Sequence, residues 1–145
     1  MLKLFFDTET TGLCDFNMPI GHECQPHLVT LAAALMDGED ELQSIRFVCK
    51  PTEKDSSEKA LMAHGVTRSM QERVGVPRIT VLSAFKWLAE AADELIAFNY
   101  DYDQMVLLGE FMRIGKPHPF TPTKAFCEMR AMSGVCKIPS PYREG

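Results

Sequence analysis

An apolar run, Leu2-Lys3-Leu4-Phe5-Phe6, leads straight into Asp7-Thr8-Glu9-Thr10-Thr11-Gly12-Leu13. Side chains of a strand alternate between faces, so Asp7 and Glu9 project to the same side where the strand meets a glycine-containing turn. Two anions held this way repel each other unless a cation lies between them. A hard divalent ion such as Mg²⁺ or Mn²⁺, which takes oxygen ligands, is the simplest candidate. A lone Asp-x-Glu at a strand end is more often coincidence than a metal site, so the rest of the chain has to supply further support.

Length and charge bound the possibilities. The 145 residues suffice for one domain with a real core, and no internal repeat, low-complexity tract or second domain is visible. No apolar run reaches the roughly 18–20 residues of a membrane span. The opening apolar run stops at Asp7, too early for a signal-peptide core, so a cytoplasmic protein is expected. The net charge of −5 argues against broad duplex binding through a basic face. The charge is uneven: the stretch from Arg113 onward carries +4 and the remainder −9. A basic C-terminal stretch beside an acidic pocket could touch a phosphate backbone, and a merely solvated surface explains it equally well.

Five cysteines, an odd number with no CxxC pair, fit reduced thiols. One loop gathers Cys14, His22, Cys24 and His27, all zinc-type ligands. The first gap is long and His22-x-Cys24 is cramped for a zinc finger. Chance accumulation in a surface loop is the favoured reading over zinc.

The chain predicts a strand over 2–7, a loop over 14–27, a second strand over 28–36, a turn at Asp37-Gly38-Glu39-Asp40 and a third strand over 42–50. Strands two and three form a hairpin. Ser57 caps a helix over 57–62 and Thr67 a short one reaching about Val74. Thr80 caps a longer helix whose Val81, Leu82, Phe85, Leu88, Ala89 and Ala92 recur at helical spacing, with Trp87 counted among its core residues. Leu95–Phe98 is a fourth strand. A helix then opens at Asp101, its expected cap, and stops at Gly115 and Pro117. A fifth strand near Ala125–Cys127, a short helix near Met129–Val135 and an extended Ile138–Pro141 follow. Strands one, four and five are expected to be parallel. The fold class is α/β, with a mixed five-stranded sheet flanked by helices.

Three segments together carry a resemblance: Asp7-x-Glu9-Thr10-Thr11-Gly12-Leu13, then Ala63-His64-Gly65-Val66-Thr67, then Asn99-x-x-Tyr102-Asp103. In order and spacing they resemble the DEDD 3′→5′ exonucleases, specifically the DnaQ-like branch with a ribonuclease-H-like fold. The likeness covers residues 2–108. It implies that Asp7, Glu9 and Asp103 are catalytic metal ligands for two Mg²⁺ or Mn²⁺ ions, with Asp7 touching both. It aligns Asp103, not Asp101, with the third carboxylate. Two such ions activate water and stabilise the leaving oxygen of a phosphodiester displacement. Thr10, Thr11, Gly12 and Leu13 would meet the terminal nucleotide, Leu13 against its base, with His64, Asn99 and Tyr102 also at the substrate. The implied substrate is the 3′ end of single-stranded DNA or RNA, with a polymerase as a possible partner and no membrane. Phe98 departs from the pattern, since relatives often have His there.

The resemblance also implies a last motif, His-x-x-x-x-Asp or Tyr-x-x-x-Asp, supplying the general base or its counterpart and a fourth ligand. Neither follows Asp103: His118 has Thr123 five places on, and Tyr142 lies three residues from the end. A single exonuclease domain over 1–145, shortened at its C-terminal end, is therefore expected. A non-catalytic module of the same fold, binding nucleic-acid ends or a polymerase, is the alternative. A phosphatase would need Asp where Glu9 stands, and no Gly-rich P-loop is present. The 145-residue chain should hydrolyse oligonucleotides slowly, because loss of a general base costs about 10²–10⁴-fold. Brisk Mn²⁺-dependent shortening of a 3′-labelled strand by this chain would refute that.

Overall fold

The computed structural model describes residues 1–128. Strand β1 (Leu2–Thr10) is the centre of a five-stranded sheet in the order β3-β2-β1-β4-β5. It runs antiparallel to β2 (Leu28–Asp37), which continues through a two-residue turn into β3 (Asp40–Val48). On its other side β1 runs parallel to β4 (Glu94–Ala97), and β4 runs parallel to β5 (Ala125–Cys127). The hairpin and the three parallel strands match the sequence expectation. The third and fourth strands begin slightly earlier than expected and end before Lys50 and Phe98. The expected features over 129–141 lie outside the described residues.

Between β3 and β4 come α1 (Glu58–His64), α2 (Arg68–Val74) and α3 (Arg78–Ala91). The Ser57 hydroxyl accepts the Ala60 N–H and the Thr67 hydroxyl accepts the Met70 N–H, so both expected caps are present. Gly65 ends α1 in the left-handed conformation at φ 68°, which costs glycine nothing. Gly75 packs so closely that a Cβ there would collide with the Gln71 carbonyl and the Lys50 backbone. Thr80 is not a cap. Proline at 77 precedes the first helical residue, Arg78, and Thr80 falls within the first turn.

Helix α3 buries Val81, Leu82, Phe85, Leu88 and Ala89. At 100° per residue these span one face, and Trp87 falls opposite it. Trp87 is accordingly 75% exposed and is not part of the core. Phe85 stacks edge-on to Phe6 of β1 with centroids 5.3 Å apart.

Helix α4 (Tyr100–Ile114) follows β4 directly and ends at Gly115, φ 66°. Its cap is Asn99, whose side chain makes no capping bond, so the Asp101 cap expected from sequence is not formed. Asp103, Leu107 and Glu110 share the inward face. Glu110 is only 1% exposed yet fully engaged. It accepts the Leu28 N–H at 3.0 Å and pairs with Arg113 at 2.7 Å and Arg78 at 3.2 Å. One carboxylate thus ties α4 to the start of β2 and to α3. Removing one member of a buried ion pair leaves uncompensated charge. Glu110→Ala should lower unfolding stability by about 3–5 kcal/mol. An unchanged urea midpoint would show that the cluster contributes nothing.

Candidate metal centre and nucleotide cleft

Along β1 the inward positions are Leu4, Phe6, Thr8 and Thr10, all buried. Asp7 and Glu9 take the other face, Asp7 exposed and Glu9 half-buried. The pairing with β2 shifts register between Glu9 and Thr10. Such irregularities bend a strand and re-aim its side chains. Here the bend falls where the carboxylates give way to the Thr10–Leu13 turn.

Asp103 reaches this strand end from α4. It is 4% exposed. Its Oδ1 accepts the Thr8 N–H at 3.2 Å and the Thr8 hydroxyl at 2.6 Å. No ion pair among the described residues involves it. Burial pushes its carboxyl up to about 7, the Thr8 hydroxyl pulls it back, and the charges of Asp7 and Glu9 push it further. Asp7 is raised by burial, against the Thr8 amide. Glu9 is raised by burial and by Asp7, and His64 opposes both. The three carboxylates therefore share one electrostatic neighbourhood, although no three His, Cys, Asp or Glu side chains among the described residues stand as a ready metal cage. Asp101 lies on the exposed side of the same helical turn.

Beside Glu9 opens a cleft of about 390 Å³. The β1 end and its turn form one wall through Thr8, Glu9, Thr10, Gly12 and Leu13. Helix α1 forms the other through Lys59, Ala60, Ala63 and His64, and Tyr102 of α4 also lines it. Leu13 is 73% exposed. His64 Nδ1 accepts the Val66 N–H at 3.0 Å. The neutral ring then carries its proton on Nε2, which lies 3.4 Å from the Ser56 hydroxyl.

Two expected substrate residues do not reach the cleft. Thr11 is buried and faces inward: its N–H donates to the His27 carbonyl, its hydroxyl accepts the His27 N–H, and its carbonyl accepts the Ser57 N–H. It ties the turn to the next strand and to the cap of α1. Asn99 instead starts α4, its carbonyl accepting the N–H groups of Tyr102 and Asp103. Thr8 and Lys59 are site residues that sequence reasoning missed, whereas Tyr102, expected at the substrate, lines the cleft. For Thr8 a signal existed, since a polar residue at an inward strand position needs a buried partner.

The loop holding the zinc-type residues does not gather them. Cys24 is exposed, and His22 Nδ1 accepts the Cys24 N–H. His27 Nδ1 is 2.6 Å from the Thr52 hydroxyl. The Cys14 thiol is pushed up to about 12 by burial and by Asp103. Among the described residues no helix is long and apolar enough to cross a membrane.

A family model described as Exonuclease (RNase_T) matches residues 4–137. Comparison with curated proteins finds no match. Among solved structures the fold is similar to apo exonuclease I, at 19% identity, TM-score 0.76, covering 93% of this chain and 30% of the other. It is similar to product-bound exonuclease I at 18% identity, TM-score 0.75, covering 99% and 34%. A zinc-bound E. coli exonuclease I–ssDNA complex aligns at 19% identity, TM-score 0.76, covering 93% and 29%. The chain spans about a third of the length of these exonuclease I chains. At such identities the structures establish the ribonuclease-H-like fold, and the family match over most of the sequence establishes that this chain belongs to the DnaQ-like exonuclease family.

Proposed function

We propose that this chain is the catalytic core of a divalent-metal-dependent 3′→5′ exonuclease acting on single-stranded nucleic-acid ends. The observation that carries the reading is Asp103: a buried carboxylate with no cationic partner among the described residues, bonded to Thr8 of the strand that bears Asp7 and Glu9, of which Glu9 lines a cleft. A buried carboxyl beside two like charges either keeps its proton or takes a cation, and three oxygen donors suit Mg²⁺ or Mn²⁺. Asp7, Glu9 and Asp103 are the ligands. Two ions held there would supply an activated water and stabilise the leaving oxygen.

The remaining residues bind and orient. Exposed Leu13 offers an apolar face to a terminal base, and face contact tolerates any base. The Gly12 and Leu13 N–H groups find no acceptor among the described residues and suit the sugar or phosphate of that nucleotide. His64 Nε2–H donates from the α1 wall, and Lys59 adds a positive charge beside it. The E. coli neighbour is described with single-stranded DNA, which supports a strand rather than a duplex as ligand.

Isothermal titration should show Mn²⁺ binding that Asp7→Ala weakens at least about tenfold, since each ligand lost removes a charged oxygen donor. Wild-type protein that binds no Mn²⁺ would sink the metal assignment. Mn²⁺ binding with no shortening of a 3′-labelled strand, even by a longer protein that carries the last motif, would favour the end-binding module.

Asp103 also sets a pH dependence. Its folded carboxyl stays protonated up to about 7, above its ordinary 3.8. Below about pH 4 both folded and unfolded chains hold the proton and nothing is lost. As pH rises toward 7 the unfolded chain releases it first, so stability falls, and above 7 the full penalty stands. In chelator, Asp103→Asn should therefore be more stable than wild type by roughly 1–3 kcal/mol above pH 7 and equal to it near pH 4. Urea unfolding across that range measures it, and a difference independent of pH would contradict it.

A further inference from the structure

The turn between Thr10 and Leu13 is held in an unusual way. Packing does not fix it: a Cβ on Gly12 would meet nothing within 4 Å, and Leu13 is 73% exposed. Its first residues are anchored through Thr11, as described above. Its apex is held by hydrogen bonds to Tyr102. The Tyr102 hydroxyl donates to the Gly12 carbonyl at 2.8 Å and lies 2.6 Å from the Thr10 hydroxyl. The Thr10 hydroxyl is itself 2.6 Å from the same carbonyl. Two hydroxyl groups and one carbonyl close a triangle across α4 and β1, separated in sequence by 90 residues or more.

We propose that the Tyr102 hydroxyl is a positioning group that latches this turn, so that the Gly12 and Leu13 N–H groups and the Leu13 side chain are presented as a preformed seat for the 3′-terminal nucleotide. The nucleotide part rests on the function proposed above; the latch itself consists of the three contacts. With the Gly12 carbonyl drawn to Tyr102, the turn keeps one orientation without help from packing. Holding a seat in its bound conformation lowers the ordering cost when ligand arrives. Tyr102 is also the neighbour of Asp103, so the first turn of α4 sets both the third carboxylate and the nucleotide seat. Any shift of that helix end would move the two together. Phenylalanine at this position would keep the ring against the cleft and lose the tie.

Tyr102→Phe in the 145-residue protein tests this in two arms. In the first, ¹⁵N relaxation without metal reads the amides of Gly12 and Leu13. Order parameters should drop from about 0.85 toward about 0.6, with those of Asp7 and Glu9 unchanged. Unchanged Gly12 and Leu13 values would overturn the latch. In the second, calorimetry with deoxyadenosine 5′-monophosphate and Mn²⁺ should show about 3- to 10-fold weaker nucleotide binding, the worth of one net hydrogen bond, at unchanged Mn²⁺ affinity. Thr10→Val should weaken it similarly, and the double variant should fall short of the product of the two, because both act through one carbonyl. Full nucleotide affinity in Tyr102→Phe would overturn the role as a seat. If wild type binds neither Mn²⁺ nor nucleotide, the proposed function fails, and the relaxation arm alone decides the latch.

Discussion

Helix α4 carries two buried carboxylates on one face, about two turns apart, and the difference between them organises the molecule. Glu110 meets Arg78, Arg113 and the Leu28 N–H, so its charge is offset and its lone pairs are used. Asp103 meets the Thr8 amide and hydroxyl and no cation among the described residues. Breaking a compensated pair is expensive, so Glu110 fixes the register of α4 against β2 and α3. With one end of the helix fixed, the other can hold a carboxylate that by itself works against folding. Structures tolerate such local costs where a rigid surrounding supports them. Asp103 and Glu110 are therefore parts of one arrangement, an anchor and the strained group that the anchor permits.

That asymmetry was only half legible in the sequence. The Asp7-x-Glu9 spacing follows from strand alternation alone, and the order of the sheet follows from a hairpin and two crossovers. The choice of Asp103 over Asp101 came from resemblance, and the helical period explains it: residue 103 shares a face with 107 and 110, residue 101 does not. The capping error has a physical cause. Aspartate favours helix starts, but backbone geometry after β4 put Asn99 there, its carbonyl already engaged with the helix. Trp87 was misjudged because composition says aromatic residues are buried, whereas angular position on α3 decides. Glu110 was invisible, because its i,i+3 pair with Arg113 looks like any surface pair and its other partners lie 32 and 82 residues away.

The turn after β1 shows the same dependence on distant contacts. Its residues looked like substrate contacts as a block, yet the structure divides their work. Thr11 gives all its polar groups to the fold, joining the turn to His27 and to Ser57 at the cap of α1. Thr10 and Gly12 face the cleft and are held by Tyr102. Leu13 points outward. Alternation along a strand gives inward and outward sides, but where a strand bends out of register that rule stops, and only tertiary contacts assign the roles.

Charge then constrains how a strand of nucleic acid could approach. Residues before Arg113 carry −9, and phosphates gain nothing from such a surface through long-range attraction. Affinity in the proposed function must come from a few short-range contacts: cations held by the carboxylates, the amides of the turn, Lys59, and an apolar face for a base. Glu9, Gly12, Leu13 and Lys59 line one cleft. An acidic surface around a cation-dependent seat would suit recognition of ends over coating of strands, in keeping with the function proposed above.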